Sequence, residues 1–104
     1  MNAAARLRFE KKLADRFSEE YCDVSVGWHG VGPEPDYATV WVRKAGTVLQ
    51  MAVYPREIGR SYSAEWIIER LARQFVEEYQ RFERGEGVKG YREASDGQST
   101  ESGS

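Results

Sequence analysis

The chain is poor in the residues that build covalent and metal-bound structure: its 104 residues include one cysteine, one histidine and three prolines. The lone Cys22 cannot form an intrachain disulfide, and one cysteine with one histidine cannot supply the ligand set of a zinc site. No apolar run approaches the ~20 residues of a membrane-spanning helix, and the charged residues 1–17 contain no apolar segment typical of a secretory signal. We therefore expect a cytoplasmic protein with no metal, no cofactor and no membrane segment.

The chain also lacks a large excess of either charge. Its formal net charge of -2 comes from residues 85–104, because the charges of residues 1–84 cancel. A neutral body lacks the strong field on which non-specific nucleic-acid binding depends. Residues 85–104 are mainly small and polar, and only Val88 and Tyr91 are suited to burial. We predict one domain over residues 1–84, followed by a tail over 85–104 that is disordered or partly docked.

Two stretches have helical periodicity. In residues 3–20 the apolar stripe consists of Leu7, Phe9, Leu13, Ala14 and Phe17, and Tyr21 extends it. In residues 64–84 it consists of Trp66, Ile67, Ile68, Leu71, Ala72, Phe75, Val76, Tyr79 and Phe82. Ser63 is the predicted N-cap of the second helix, and Gly85 is its predicted stop. The sequential carboxylates Glu77 and Glu78 are expected to face solvent.

Residues 22–28, 37–44 and 47–54 alternate between apolar and polar side chains, which is typical of strands. Residues 27–36 contain three glycines and two prolines, and they predict a long loop. Residues 44–47 predict a tight hairpin turn with Gly46 at positive φ. The apolar alternation favours one buried side for each strand: Cys22, Val24, Val26 and Trp28, then Ala38, Val40 and Val42, then Leu49, Met51 and Val53.

The helix–β–β–β–helix order and these parities define the fold class. Two apolar-striped helices need a surface, and one sheet face provides it. We predict an α+β two-layer sandwich, in which a three-stranded antiparallel sheet carries both helices on one face. Its other face is then open, as is usual for antiparallel sheets. That face is predicted to carry Ser25, His29, Tyr37, Thr39, Trp41, Arg43, Gln50 and Tyr54.

The open face holds the strongest candidate site. Trp41 alternates with Val40 and Val42, so it shares its side of the strand with Tyr37 and Arg43. Trp, Tyr and Arg dominate the hot spots of protein interfaces. Two other interpretations stay open. Cross-strand aromatic pairs also stabilise a sheet that has no partner, and the loop 27–36 or the pair Val88 and Tyr91 can fold over the face.

The spacing of the candidate residues along the chain argues against a catalytic site and against a phosphate-binding loop. Asp23, Ser25 and His29 share one strand face, but Ser25 and His29 lie about 13 Å apart on one strand. A nucleophile and its base must lie about 3 Å apart. The glycines of residues 27–32 lead into a strand, whereas phosphate-binding loops lead into a helix. We therefore expect no enzymatic activity and no small-molecule substrate.

The element order resembles that of the double-stranded RNA-binding domain. That family has a Gly-Pro-x-His type of loop between its first two strands and a lysine-rich start to its second helix. Here residues 32–35 read Gly-Pro-Glu-Pro and residues 63–66 read Ser-Ala-Glu-Trp. The resemblance therefore covers topology, and the family's binding residues are not carried over. Small phage-encoded inhibitors, anti-CRISPR proteins among them, are similar in size and element order.

Two functions follow as hypotheses. The first is a small non-enzymatic protein-binding module, an inhibitor or adaptor of the kind that phages and mobile elements encode, which binds a partner protein or a second copy of itself. Its site is the open face with the loop 28–36, and the candidate residues are His29, Tyr37, Trp41, Arg43, Tyr54, Arg56 and Arg60. The alternative is a domain that binds double- or single-stranded nucleic acid. It uses Arg43, Lys44, Arg56 and Arg60, with Tyr37 and Trp41 stacking on bases.

Overall fold

The computed structural model describes residues 2–31, 35–86 and 90–92. The elements are α1 (Ala3–Phe17), β1 (Asp23–His29), β2 (Tyr37–Lys44), β3 (Thr47–Val53), a 3₁₀ turn (Pro55–Glu57), α2 (Ala64–Glu83) and β4 (Gly90–Arg92). The strands form one antiparallel sheet in the order β1-β2-β3-β4. The predicted α+β fold class is confirmed. The short β4 falls within the predicted tail and pairs with residues 47–49 of β3, while the rest of that tail lies outside the described residues.

Both helices begin at a capping side chain. The side-chain oxygens of Asn2 and Ser63 each accept a hydrogen bond from the backbone N–H three residues later, at 2.8 and 3.1 Å. These bonds satisfy donors that the first helical turn leaves free. α1 ends three residues before its predicted end, because the amides of Glu20 and Tyr21 both turn back to the carbonyl of Phe17.

The core lies between the two helices and one face of the sheet. Its buried side chains come from the predicted stripes and parities: Phe9, Leu13, Phe17, Tyr21, Val40, Val42, Leu49, Met51, Val53, Ile67, Ile68, Leu71, Ala72 and Phe75. Val24, Val26 and Trp28 of β1 pack against this cluster while they stay partly exposed. Both helices therefore cover the same sheet face, and the parity that carries Trp41 faces away from them.

Several predicted burial assignments are wrong at the margins of the stripes. Leu7 is 66% exposed and Val76 is also exposed, because both lie on the flank of their helix. Cys22 precedes β1 and is exposed. Glu78, expected to face solvent, is buried, and its carboxylate accepts a hydrogen bond from Arg81 at 3.1 Å.

Two tight connections fix the register of the sheet. Ala45 and Gly46 join β2 to β3, with φ values of 52° and 79°. Two successive positive φ values are typical of a type I′ hairpin turn, so the positive φ predicted at Gly46 is confirmed and Ala45 shares it. β1 extends to His29, and the Asp36 amide donates to the His29 carbonyl at 2.8 Å, which shortens the predicted loop.

No helix among the described residues combines the length and the apolar character needed to cross a membrane.

Candidate functional site

The sheet side that faces away from both helices is called the open face below. Alternate residues of three strands form it: Asp23, Ser25, Gly27 and His29 of β1, Tyr37, Thr39, Trp41 and Arg43 of β2, and Val48, Gln50 and Ala52 of β3. Val48, at the hairpin end, is buried. Because the strands are antiparallel and in register, these side chains meet as cross-strand pairs.

Trp41 lies in the middle of the open face and is half-buried. Its indole N–H donates to Oε1 of Gln50 on the neighbouring strand, at 3.0 Å. The edge of the ring lies over Gly27, where an added Cβ would approach two ring atoms to 2.9 Å. A glycine on one side and an amide acceptor on the other therefore fix the orientation of this ring.

Beside Trp41, the side chains of His29 and Tyr37 form a stacked pair. Their ring centroids are 4.7 Å apart and the planes differ by 23°. Nε2 of His29 also lies 3.2 Å from Oγ1 of Thr39, within hydrogen-bond distance. Tyr37 is 43% exposed in this arrangement, so its ring is both positioned and accessible.

At the hairpin end of the open face, the charged side chains already interact with other residues of the chain. Arg43 forms an ion pair with Asp23 at 2.9 Å, and both side chains are partly exposed. The ammonium group of Lys44 points to the helix side of the sheet, 4.9 Å from the centroid of the Tyr79 ring and 5.9 Å from that of Tyr21. The two cations of this hairpin thus point to opposite sides of the sheet.

The structure does not bring the four predicted cations together. Lys44 pairs with Thr47 at one end of β3, whereas Arg56 and Arg60 follow the other end of this strand. Seven extended residues span about 20 Å. The basic residues predicted as one anion site therefore form two separate pairs at opposite ends of the sheet.

Tyr54 also lies apart from the other candidate aromatics. It follows β3, is 55% exposed and lines a cleft of about 300 Å³ together with Arg70 and Gln74 of α2. Tyr54 therefore stands where the sheet meets α2. Trp28, part of the predicted loop 28–36, points to the helix side of the sheet, where its indole N–H donates to Glu10 at 2.6 Å.

A second exposed aromatic cluster lies at the start of α2, and we call Tyr62, Trp66 and Arg70 the helix-start cluster. The rings of Tyr62 and Trp66 stack at 4.2 Å and 13°, and the guanidinium of Arg70 lies 5.5 Å from the Trp66 centroid. Trp66 is 42% exposed, so its predicted place in the buried stripe is wrong. Tyr62, Trp66 and Arg70 are spaced four residues apart, so they lie along one flank at the start of the helix. The charged Arg70 on this flank is the sequence signal that it faces solvent rather than the core.

The residues rejected as a catalytic set have other contacts. Asp23 pairs with Arg43, and His29 contacts Thr39 and Tyr37. Within residues 2–31, 35–86 and 90–92, no group of three or more His, Cys, Asp and Glu side chains is placed to hold a metal ion. The predicted alternative of a cover over the open face rests partly on residues 32–34 and 88, which lie outside the described residues.

Comparison with known proteins gives no match to a family model, a curated protein or a solved structure.

Proposed function

We propose that this chain is a small non-enzymatic protein-binding module that contacts its partner protein through the open face. One observation carries the proposal: Trp41, Tyr37 and His29 form an aromatic strip in which each ring is fixed by a neighbour, on the sheet face that neither helix covers. Arg43 lies at the end of this strip.

The strip has the composition and the rigidity of an interface hot spot. Trp, Tyr and Arg are the residues whose removal costs interfaces most. Side chains that are fixed before binding lose less conformational entropy when the partner arrives. The hydrogen bond from Trp41 to Gln50 and the stacking of His29 on Tyr37 provide this preorganisation.

Stabilisation of the sheet alone explains the strip less well. A cross-strand aromatic pair contributes about 0.2–1 kcal/mol, and any β-branched pair would serve the sheet in a similar way. In this structure a glycine on the adjacent strand makes room for Trp41, and an exposed tyrosine lies beside it. Stabilising the sheet would not require this particular arrangement. The open face is therefore better suited to contact with a partner.

Nucleic-acid binding receives less support from the same geometry. Backbone recognition depends on several cations that reach the phosphates together. Here Arg43 is paired with Asp23, Lys44 lies over two tyrosine rings, and Arg56 and Arg60 are at the far end of β3. The neutral body predicted from the sequence adds no general attraction.

An inhibitor or adaptor role, of the kind found in small phage and mobile-element proteins, requires a surface that can cover part of a partner protein. The open face is such a surface, and the likeness to those proteins is one of size and element order.

Affinity capture with two matched tryptophan variants tests the proposal. Trp41→Ala removes the centre of the open face, whereas Trp66→Ala removes an exposed tryptophan of the helix-start cluster. We expect the wild type and Trp66→Ala to retain a shared partner protein and Trp41→Ala to lose it. With the purified partner, Trp41→Ala should weaken binding by about 2 kcal/mol or more, which is about 30-fold in Kd.

Circular dichroism of each variant provides the control for folding. If folded Trp41→Ala captures the partner as well as the wild type does, the open face is not the binding surface. If Trp66→Ala alone loses the partner, the binding surface is the helix-start cluster.

A further inference from the structure

The outer edge of β1 lacks the features that normally protect an edge strand. Protected edges are short, or carry lysine, proline or inward-pointing charge. β1 is the edge of the sheet as far as the structure describes the chain, it is seven residues long, and its sequence Asp-Val-Ser-Val-Gly-Trp-His contains neither lysine nor proline. The opposite edge is interrupted, because the three-residue β4 pairs with residues 47–49 and residues 50–53 of β3 continue beyond it. The β1 edge is therefore suited to pair with a further strand.

The hydrogen bonds around β1 show which backbone groups point outward. The His29 carbonyl points toward β2, because it accepts the Asp36 amide at 2.8 Å. The carbonyl of Arg43, which lies opposite Asp23, points toward β1, because it accepts the Cys22 amide at 2.9 Å. Backbone groups alternate along a strand, so the parity of Asp23 and His29 serves the β1–β2 ladder. The outward parity consists of Val24, Val26 and Trp28.

We propose that two copies of the chain pair through their β1 strands, antiparallel, about a two-fold axis at Val26. In this register Val26 lies opposite Val26 of the partner copy, and Val24 lies opposite Trp28 of the partner copy. These are the residues whose N–H and C=O groups point outward, so the ladder is complete along the whole strand. Cyclic two-fold pairing of the same surface is the commonest symmetry of protein oligomers, and strand addition at a free edge is a common mode of recognition.

The side chains of β1 complement one another in the same register. On the open face, Asp23 lies opposite His29 of the partner copy, so the carboxylate that already pairs with Arg43 faces an imidazole ring at both ends of the new ladder. Like charges directly opposite each other would destabilise a strand pair. Ser25 lies opposite Gly27 of the partner copy, which leaves room at the centre. No like charges meet in this pairing.

The helix side of the edge contains an apolar groove that a second copy would cover. Leu7 and Ala14 of α1 line it with Val24 and Val26 of β1, and its volume is about 310 Å³. Pairing about the two-fold axis brings α1 of the partner copy alongside this groove, since each α1 packs on its own β1. Glu10 and Lys11 also line the groove, so each copy presents one negative and one positive side chain to the other copy. This arrangement accounts for the exposure of Leu7.

Pairing at the β1 edge joins the two open faces into one continuous surface. A dimer of this kind presents two aromatic strips side by side and binds a two-fold symmetric partner with increased avidity. This consequence rests on the proposed function, whereas the pairing itself does not.

Symmetric cysteine crosslinking tests the register. In a Cys22→Ser background, Val26→Cys places two sulfhydryl groups across the two-fold axis, where Cα atoms of a hydrogen-bonded pair are about 5.5 Å apart, within the disulfide range. Val24→Cys is the matched control, because Val24 residues of the two copies lie at least about 13 Å apart along the strands. Under mild oxidation we expect the covalent dimer for Val26→Cys alone. Equal crosslinking of both variants, or of neither, would overturn the register.

The mass in solution tests the pairing without a cysteine. Sedimentation equilibrium from micromolar to submillimolar protein should show the wild type rising from the 11.9 kDa monomer to twice that mass. Val24→Lys, which places an inward-pointing charge in the apolar groove, should stay monomeric with an unchanged circular dichroism spectrum, and Trp41→Glu should still dimerise. A monomeric wild type, a folded but dimeric Val24→Lys or a monomeric Trp41→Glu contradicts the proposal. The outcome of these measurements does not affect the capture experiment with Trp41→Ala. The proposed pairing of β1 strands and the proposed binding of a partner protein can therefore be contradicted independently.

Discussion

At the scale of single residues, Gly27 determines the position of Trp41. The glycine lies opposite Thr39 in the ladder, and its missing side chain leaves the space that the Trp41 ring occupies at 2.9 Å from a would-be Cβ. The sequence pattern places Trp41 on the open face, but the cross-strand register is needed to show which residue makes room for it. One glycine thus converts a surface tryptophan into a fixed one.

Gly27→Ala should displace the Trp41 ring and weaken its hydrogen bond to Gln50. We expect the indole N–H resonance of Trp41 to shift in a ¹H–¹⁵N spectrum while that of Trp66 stays in place, because the added Cβ would meet the outer atoms of the Trp41 ring at 2.9 Å. An unchanged Trp41 resonance would mean that Gly27 does not position the ring.

At the scale of the elements, the sequence predicts what local physics controls. Alternation along 37–44 and 47–54 predicts the buried side of each strand, and the spacing of Phe9, Leu13 and Phe17 predicts the buried side of α1, since both depend on short-range periodicity. The width of the apolar stripe in α2 places Trp66 in the core, and only the charged Arg70, four residues later on the same flank, indicates that Trp66 is exposed.

The relations between elements are the part of the site that the sequence does not reveal. The distance between Lys44 and Arg56 depends on the full length of β3, and the contact of Lys44 with Tyr79 joins a strand to the far end of α2. The pairing of β4 with β3 is likewise long-range, and three residues are too few for a periodic signal. The sequence identifies the residue types of the site, and the structure adds which of these residues lie close together in the fold.

The β2–β3 hairpin contains a residue that can be improved. Ala45 has a φ of 52°, a left-handed conformation that costs an alanine about 1 kcal/mol and that asparagine tolerates well in an Asn-Gly turn. Ala45→Asn should raise the free energy of unfolding in urea by about 0.5–1 kcal/mol. Gly46→Ala, at a φ of 79°, should lower it. A loss in Ala45→Asn would contradict the turn assignment.

Two ion pairs join α1 to α2, and they should make the stability of the protein depend on pH in the acid range. Glu69 accepts hydrogen bonds from Arg16 at 2.6 and 3.1 Å, and Glu65 accepts one from Lys12 at 2.6 Å. These bonds hold the pKa of both carboxyl groups below their ordinary value of 4.5. Their stabilisation is therefore present above pH 4.5 and disappears as the pH falls through the lowered pKa.

Glu69→Gln should accordingly melt earlier than the wild type at about pH 7 in low salt, and the difference should diminish as the pH falls below 4.5 and through the lowered pKa of Glu69. The difference should be small and should shrink in salt, because the pair is exposed. Glu77→Gln is the control, since Glu77 lines the cleft beside Tyr54 on the β3 side of α2. A Tm difference for Glu69→Gln that is independent of pH would contradict the role of the charge.

At the scale of the whole molecule, the sheet divides the protein into surfaces with separate tasks. One face is covered by both helices and forms the core. The opposite face carries the preorganised strip of Trp41, Tyr37 and His29, which we propose binds a partner protein. The β1 edge is the surface proposed to join two copies. The three tryptophans lie on different parts of this architecture: Trp41 on the open face, Trp28 beneath α1 and Trp66 in the helix-start cluster.

Titration of the ¹⁵N-labelled protein with its captured partner distinguishes the open face from the helix-start cluster, because each indole N–H reports on one surface. We expect the Trp41 resonance to shift or broaden together with the amides of Tyr37 and Thr39, while the Trp66 resonance stays in place. A shift of Trp66 with an unperturbed Trp41 would contradict this expectation and would assign binding to the helix-start cluster.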